Sequence, residues 1–119
     1  MTREQMKTRT KSYALRVVRV VRALPAERVA SVLGGQLLRA GTSVGANYRA
    51  ACRAKSTADF INKLKIVEEE CDESVYWMEL LVESGSLRRK RLESLLQEGD
   101  EILSIVVASL KRQRTTVDS

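Results

Sequence analysis

The sequence predicts an all-α protein, an antiparallel up-down-up-down four-helix bundle. Apolar residues recur at helical spacing in four long segments. No stretch shows sustained two-residue alternation, and neither Asn-Gly nor Asp-Gly occurs to turn a hairpin. The joins between segments are short, so consecutive helices are expected to pack antiparallel. The whole chain, 1–119, reads as one domain, with 44% hydrophobic and 30% charged residues to supply a core and a charged surface.

The first helix is expected over about 6–24, with Met6, Tyr13, Val17, Val20 and Leu24 in one stripe and Arg16, Arg19 and Arg22 off it. Pro25 fits the stop of this helix or the first turn of the next. The second helix is expected over about 27–55, with Leu33, Leu37, Ala40, Val44 and Ala51 facing inward. Beside that stripe run Gly34, Gly41, Gly45 and Cys52. A helical glycine costs about 1 kcal/mol relative to alanine, so three in one line suggest close approach of another backbone. Asn47, at the edge of the apolar stripe, needs a partner.

The third helix is expected over about 57–84. Ser56 followed by Asp59 resembles a capping box, and Gly85 supplies a left-handed stop. Its main stripe is Phe60, Leu64, Val67, Cys71, Val75, Met78 and Val82. A second apolar set, Ile66, Trp77 and Leu80, lies on another face and marks a contact between copies of the chain. The fourth helix is expected over about 88–112, with Leu92, Leu95, Leu96, Gly99, Leu103, Val106 and Leu110 inward. Residues 113–119 read as a polar, frayed tail.

The chain has no histidine. This removes the commonest general base, the commonest metal ligand and every Ser-His or Cys-His nucleophile. The expectation is a protein without catalytic residues, cofactor or metal. Glu68, Glu69, Glu70, Asp72 and Glu73 are read as an ion-paired or solvated face, because carboxylate di-metal bundles pair Glu with His. Two cysteines, Cys52 and Cys71, are too few for a disulfide framework and are read as reduced and buried. No apolar run approaches the length of a membrane span, so the reading is a soluble, cytoplasmic chain with no membrane partner.

Charge is unevenly spread: +6 over residues 1–24, +4 over 25–55, −6 over 56–86 and +2 over 87–119. An up-down-up-down bundle would gather the start of helix 1, the end of helix 2, the start of helix 3 and the end of helix 4 at one end. Eleven basic residues would meet three acids there. A field of that sign attracts phosphates. The candidate nucleic-acid-binding residues are Arg49, Arg53, Lys55, Lys63, Lys7, Lys11, Lys111 and Arg112. A second cationic run, Arg88-Arg89-Lys90-Arg91, starts helix 4, where Glu79 and Glu83 are candidate neutralisers.

The second helix carries Gln36-Leu37-Leu38-Arg39-Ala40-Gly41-Thr42-Ser43-Val44-Gly45-Ala46-Asn47-Tyr48-Arg49, followed by Ala51-Cys52-Arg53-Ala54, Ser56 and Asp59-Phe60. Tyr76-Trp77 with Glu79-Leu80-Leu81 completes the pattern. Over roughly residues 10–112 the chain resembles the four-helix-bundle 23S rRNA intervening-sequence proteins. The resemblance implies a barrel-shaped homopentamer and no catalytic residues. That family is similar to the accessory protein of diversity-generating retroelements, a basic pentameric barrel that binds nucleic acid and a reverse transcriptase. Relatives usually open helix 4 with a Ser, Thr or Asp cap and acids, where this chain has Arg88 to Arg91. The leading expectation is a homo-oligomeric nucleic-acid-binding module, RNA slightly preferred to DNA. The alternative is a scaffold that binds an acidic protein partner through the same surface.

Overall fold

The structure, a computed structural model, describes residues 1–118, with side-chain surroundings through Thr115. Four helices follow one another: α1 (Arg3–Arg22), α2 (Arg28–Cys52), α3 (Thr57–Glu83) and α4 (Arg89–Asp118). They form an antiparallel four-helix bundle of 51 × 21 × 19 Å. Each helix packs on its neighbours in sequence, and α4 closes the ring against α1 along the most sparsely packed seam.

Local chemistry sets most of the boundaries. Thr2 and Gln5 form a capping box, Gln5 N–H donating to Thr2 Oγ1 and Thr2 N–H to Gln5 Oε1. The first helix therefore begins at Arg3, three residues before the apolar periodicity is visible. It stops at Arg22, and Pro25 lies in the connection. The Glu27 carboxylate caps α2, accepting from Val29 and Ala30 N–H. Ser56 Oγ caps α3 through Asp59 N–H. The Asp59 side chain reaches back one residue further than a capping box requires, to Lys55 N–H.

Gly85 ends α3 with φ +83°, which side chains rarely tolerate. Ser86 N–H donates to Leu81 C=O and Gly85 N–H to Val82 C=O, the paired bonds of a Schellman stop. The expected polar tail is a correction. The last helix continues past residue 112 to Asp118, because nothing in 113–118 breaks it.

The core is built from every helix: Tyr13 and Val17, Leu37 and Val44, Leu64, Val67, Met78 and Leu81, then Leu92, Ile102, Val106 and Leu110. Tyr13 crosses it. Its hydroxyl meets Ser74 Oγ at 2.8 Å. Ser74 Oγ donates its proton to Cys71 C=O, so Tyr13 is the donor. Burial pushes the Tyr13 hydroxyl well above its ordinary pKa. Gly99 makes room for this ring: a Cβ there would stand 2.8 Å from the Tyr13 hydroxyl.

The glycine line of α2 is explained within the subunit. A Cβ on Gly41 would lie 2.8 and 2.9 Å from the Val17 methyls, and one on Gly34 would lie 2.5 Å from Leu24 Cδ1. The close neighbour is α1 of the same chain. The line is therefore not available to a second copy, and it gives no support to self-association. Asn47 finds its partner in its own helix, donating to Ser43 C=O at 2.8 Å.

Candidate nucleic-acid interface

The topology brings the expected elements to one end. Arg3 of α1 stacks over the Phe60 ring of α3, 4.8 Å from its centroid. Arg3, Ala51, Lys55, Phe60 and Gln113 line one hollow of about 200 Å³, so all four helices contribute to this end. A larger groove of about 480 Å³ runs between α1 and α2, bordered by Glu4, Lys7, Lys11, Thr42, Ala46 and Arg49. Gly45, in the lining, lets the two backbones approach: a Cβ there would lie 3.3 Å from the Thr10 carbonyl.

The eight candidate residues do not form one continuous patch. Lys7, Lys11 and Arg49 share the α1–α2 groove. Lys55 borders the hollow beside Arg3. Arg112 lines a third hollow with Met6, Tyr48, Leu64 and Val106, and its guanidinium reaches Ser109 Oγ. Arg53 is exposed at the C-cap of α2, and Lys111 is exposed on α4. Lys63 is held by Asp59 at 2.9 Å.

Pairing sorts these cations into free and occupied. Lys7 binds Glu4 at 3.1 Å. Lys63 and the Lys55 N–H hold the Asp59 carboxyl below its ordinary pKa, the Lys63 hydrogen bond being the larger cause. Among the described residues, the side chains of Lys11, Arg49, Arg53, Lys55 and Lys111 make no ion pair with an acid, although Lys55 holds Asp59 through its backbone N–H.

Arg9 leaves the patch altogether. Its guanidinium grips Glu98 across the α1–α4 seam at 2.7 Å and also faces Glu101 at 3.6 Å. Counting basic residues by helix end therefore overstates the field, because Glu98 and Glu101 reach this level from the middle of α4. Arg3 counts among the eleven basic residues expected at this end but not among the candidate binding residues, and its contact with the Phe60 ring is set only by helix packing.

Two acids of the α3 face, Glu70 and Glu73, are ion-paired. Arg39 of α2 reaches Glu70 at 3.2 Å and Glu73 at 3.3 Å. Among the described residues no group of three or more His, Cys, Asp or Glu is placed to hold a metal ion. Both cysteines are free; Cys71 is buried and Cys52 is only half-buried, against the expectation that both would be covered. Burial pushes the Cys71 thiol up to about 12, and its Sγ donates to Gly99 C=O.

The second apolar face of α3 is divided. Ile66 is 42% exposed. Leu80 is half-buried, and Trp77 packs against the core. The Trp77 Nε1–H is nevertheless buried, with no acceptor among the described residues. Tyr76, exposed, lies edge-on to it with centroids 5.2 Å apart. Between Ile66 and Trp77 the same helix line carries Glu70 and Glu73, occupied by Arg39. No helix among the described residues is long and apolar enough to cross a membrane.

Comparison with known proteins agrees with this architecture. A crystal structure of a protein of unknown function from the S23 ribosomal protein family of Bacteroides thetaiotaomicron superposes with a TM-score of 0.83. The two are 39% identical over 89% of this chain and 98% of the other. No curated protein sequence matches. The model of the 23S rRNA-intervening sequence proteins matches residues 4–108, nearly the whole bundle, and this chain belongs to that family.

Proposed function

We propose that this protein is a non-enzymatic, homo-oligomeric module that binds the phosphate backbone of nucleic acid, RNA before DNA, at the end where α1 and α3 begin. The observation that carries the reading is the α1–α2 groove, in which Lys11 and Arg49 face solvent without acidic partners. Arg53 and Lys55 extend the same charge across the end of α2. Unpaired cations on rigid helices retain their full attraction for phosphate, whereas Lys7 and Lys63 have already spent part of theirs on Glu4 and Asp59. Self-association around an axis would set several such ends side by side and raise avidity without new contacts.

The test is binding of mixed-sequence RNA and DNA at low salt. Arg49→Glu with Arg53→Glu is expected to lower affinity at least tenfold and to flatten the salt dependence by about 0.7–0.9 per lost phosphate contact. Both positions are exposed, so helicity should be unchanged. Wild-type protein that binds neither nucleic acid at low salt would sink the reading and favour an acidic protein partner for the same surface.

A further inference from the structure

At the opposite end of the bundle, Arg88, Arg89, Lys90 and Arg91 stand together, all exposed. Among the described residues no acid is ion-paired with any of them, Glu79 and Glu83 of α3 included. The first turn of α4 also contains no acid. Four adjacent like charges repel one another, and they sit at the helix end where the dipole disfavours cations. Among the described residues no ion pair relieves this, Glu93 one turn further along α4 included, in contrast to Arg9 and Arg39, which have carboxylates in place.

The cluster is also held still. Leu87 before it packs against the core, and Leu92 after it is fully buried. Leu87 N–H is bonded to Leu81 C=O, and Arg91 N–H to Arg88 C=O. Arg88, Lys90 and Arg91 rim a hollow of about 480 Å³ with Gly85, Ser86 and the half-buried Leu87, while Arg89 stands outside it. A local rule broken without internal compensation, on a pinned backbone, marks a site whose compensation comes from outside. Three of the four cations are arginines, whose forked donors suit phosphate oxygens, and Arg91 follows Arg88 by three residues, its N–H bonded to the Arg88 carbonyl where α4 begins. The rim holds no exposed large apolar side chain of the kind that anchors a protein partner.

We infer that the α3–α4 corner is a second phosphate-backbone site, so that one bundle can engage nucleic acid at both ends of its 51 Å axis. This goes beyond the site at the other end and does not depend on it. Amide chemical shifts of residues 85–91, followed while a short oligouridylate is added at low salt, test it on the unmodified chain. Shifts at 85–91 are expected in the wild type, and they should persist in Arg49→Glu/Arg53→Glu. They should disappear in Arg88→Ser/Arg89→Ser/Lys90→Ser/Arg91→Ser, which leaves Leu87 and Leu92 in place and should remain fully helical. Persistence at 85–91 with no response at 49–55 would overturn only the proposed function. No response at 85–91 overturns the second site. A response to polyglutamate but not to the oligonucleotide overturns it too, and assigns the corner to an acidic protein.

Discussion

Arg9 on α1 and Glu98 on α4 form a two-pronged ion pair, Nε to Oε2 and Nη2 to Oε1, both 2.7 Å. It bridges the sparsest seam of the bundle, helped by Arg16 donating to Ser94 Oγ. The Arg9 hydrogen bond holds the Glu98 carboxyl below its ordinary 4.5. The unfolded chain therefore takes up this proton at higher pH than the folded one. The stabilisation is complete above the ordinary value and is lost as pH falls through the lower folded value. Glu98→Gln is expected to cost about 1 kcal/mol at neutral pH. Thermal melts in acid should show the gap between variant and parent shrinking; a constant gap would mean the pair contributes nothing.

Gly41 and Gly35 make opposite predictions on one helix. Gly41→Ala forces a methyl to within 3 Å of the Val17 side chain, which branches at Cβ and cannot swing aside. A loss of about 1–3 kcal/mol is expected. A Cβ on Gly35 meets nothing within 4 Å. Gly35→Ala should stabilise by about 0.5–1 kcal/mol through helix propensity. Urea unfolding of the pair checks both, and a stabilised Gly41→Ala would contradict the close α1–α2 seam.

The thiols should separate kinetically. Cys71 is buried and bonded to the Gly99 carbonyl, and burial holds its thiol near 12. Cys52 is half-buried at the end of α2. In native protein under mild alkali, a thiol reagent should label Cys52 first and Cys71 only as the bundle unfolds. Equal rates would show that the α3–α4 contact opens freely.

Self-association is best probed at Ile66. Trp77 packs against the core, so Trp77→Glu would damage the fold as well as any contact between copies. Ile66→Glu changes only an exposed position. Light scattering should show a multimer for the parent and a smaller particle for the variant, with unchanged helicity. A parent that is monomeric at micromolar concentration would remove self-association from the proposed function.

The helices, their order, the start of α3 at Ser56 and its stop at Gly85 were legible in the sequence. Each depends on residues a few positions apart: a period of 3.6, a side chain capping an N–H three residues on, a glycine that accepts φ +83°. The start at Arg3 was missed because its signal is polar, the pairing of Thr2 with Gln5, while the apolar stripe begins only at Met6. The end of α4 was placed too early because polar residues at a terminus resemble a tail, although they carry no helix breaker.

By itself, then, the sequence determined an all-helical chain, its four amphipathic faces and the presence of a cationic surplus. Tertiary structure decided what those features meet. It set α1 against the glycine line, divided Ile66 from Trp77, took Arg9 out of the basic end and left Lys11 and Arg49 facing one groove. Helical periodicity is enforced by hydrogen bonds between neighbouring turns, so composition along a short window reveals it. The charge of a surface depends on pairs such as Arg9 and Glu98, 89 residues apart, whose meeting is fixed only when the helices choose their neighbours and their vertical register.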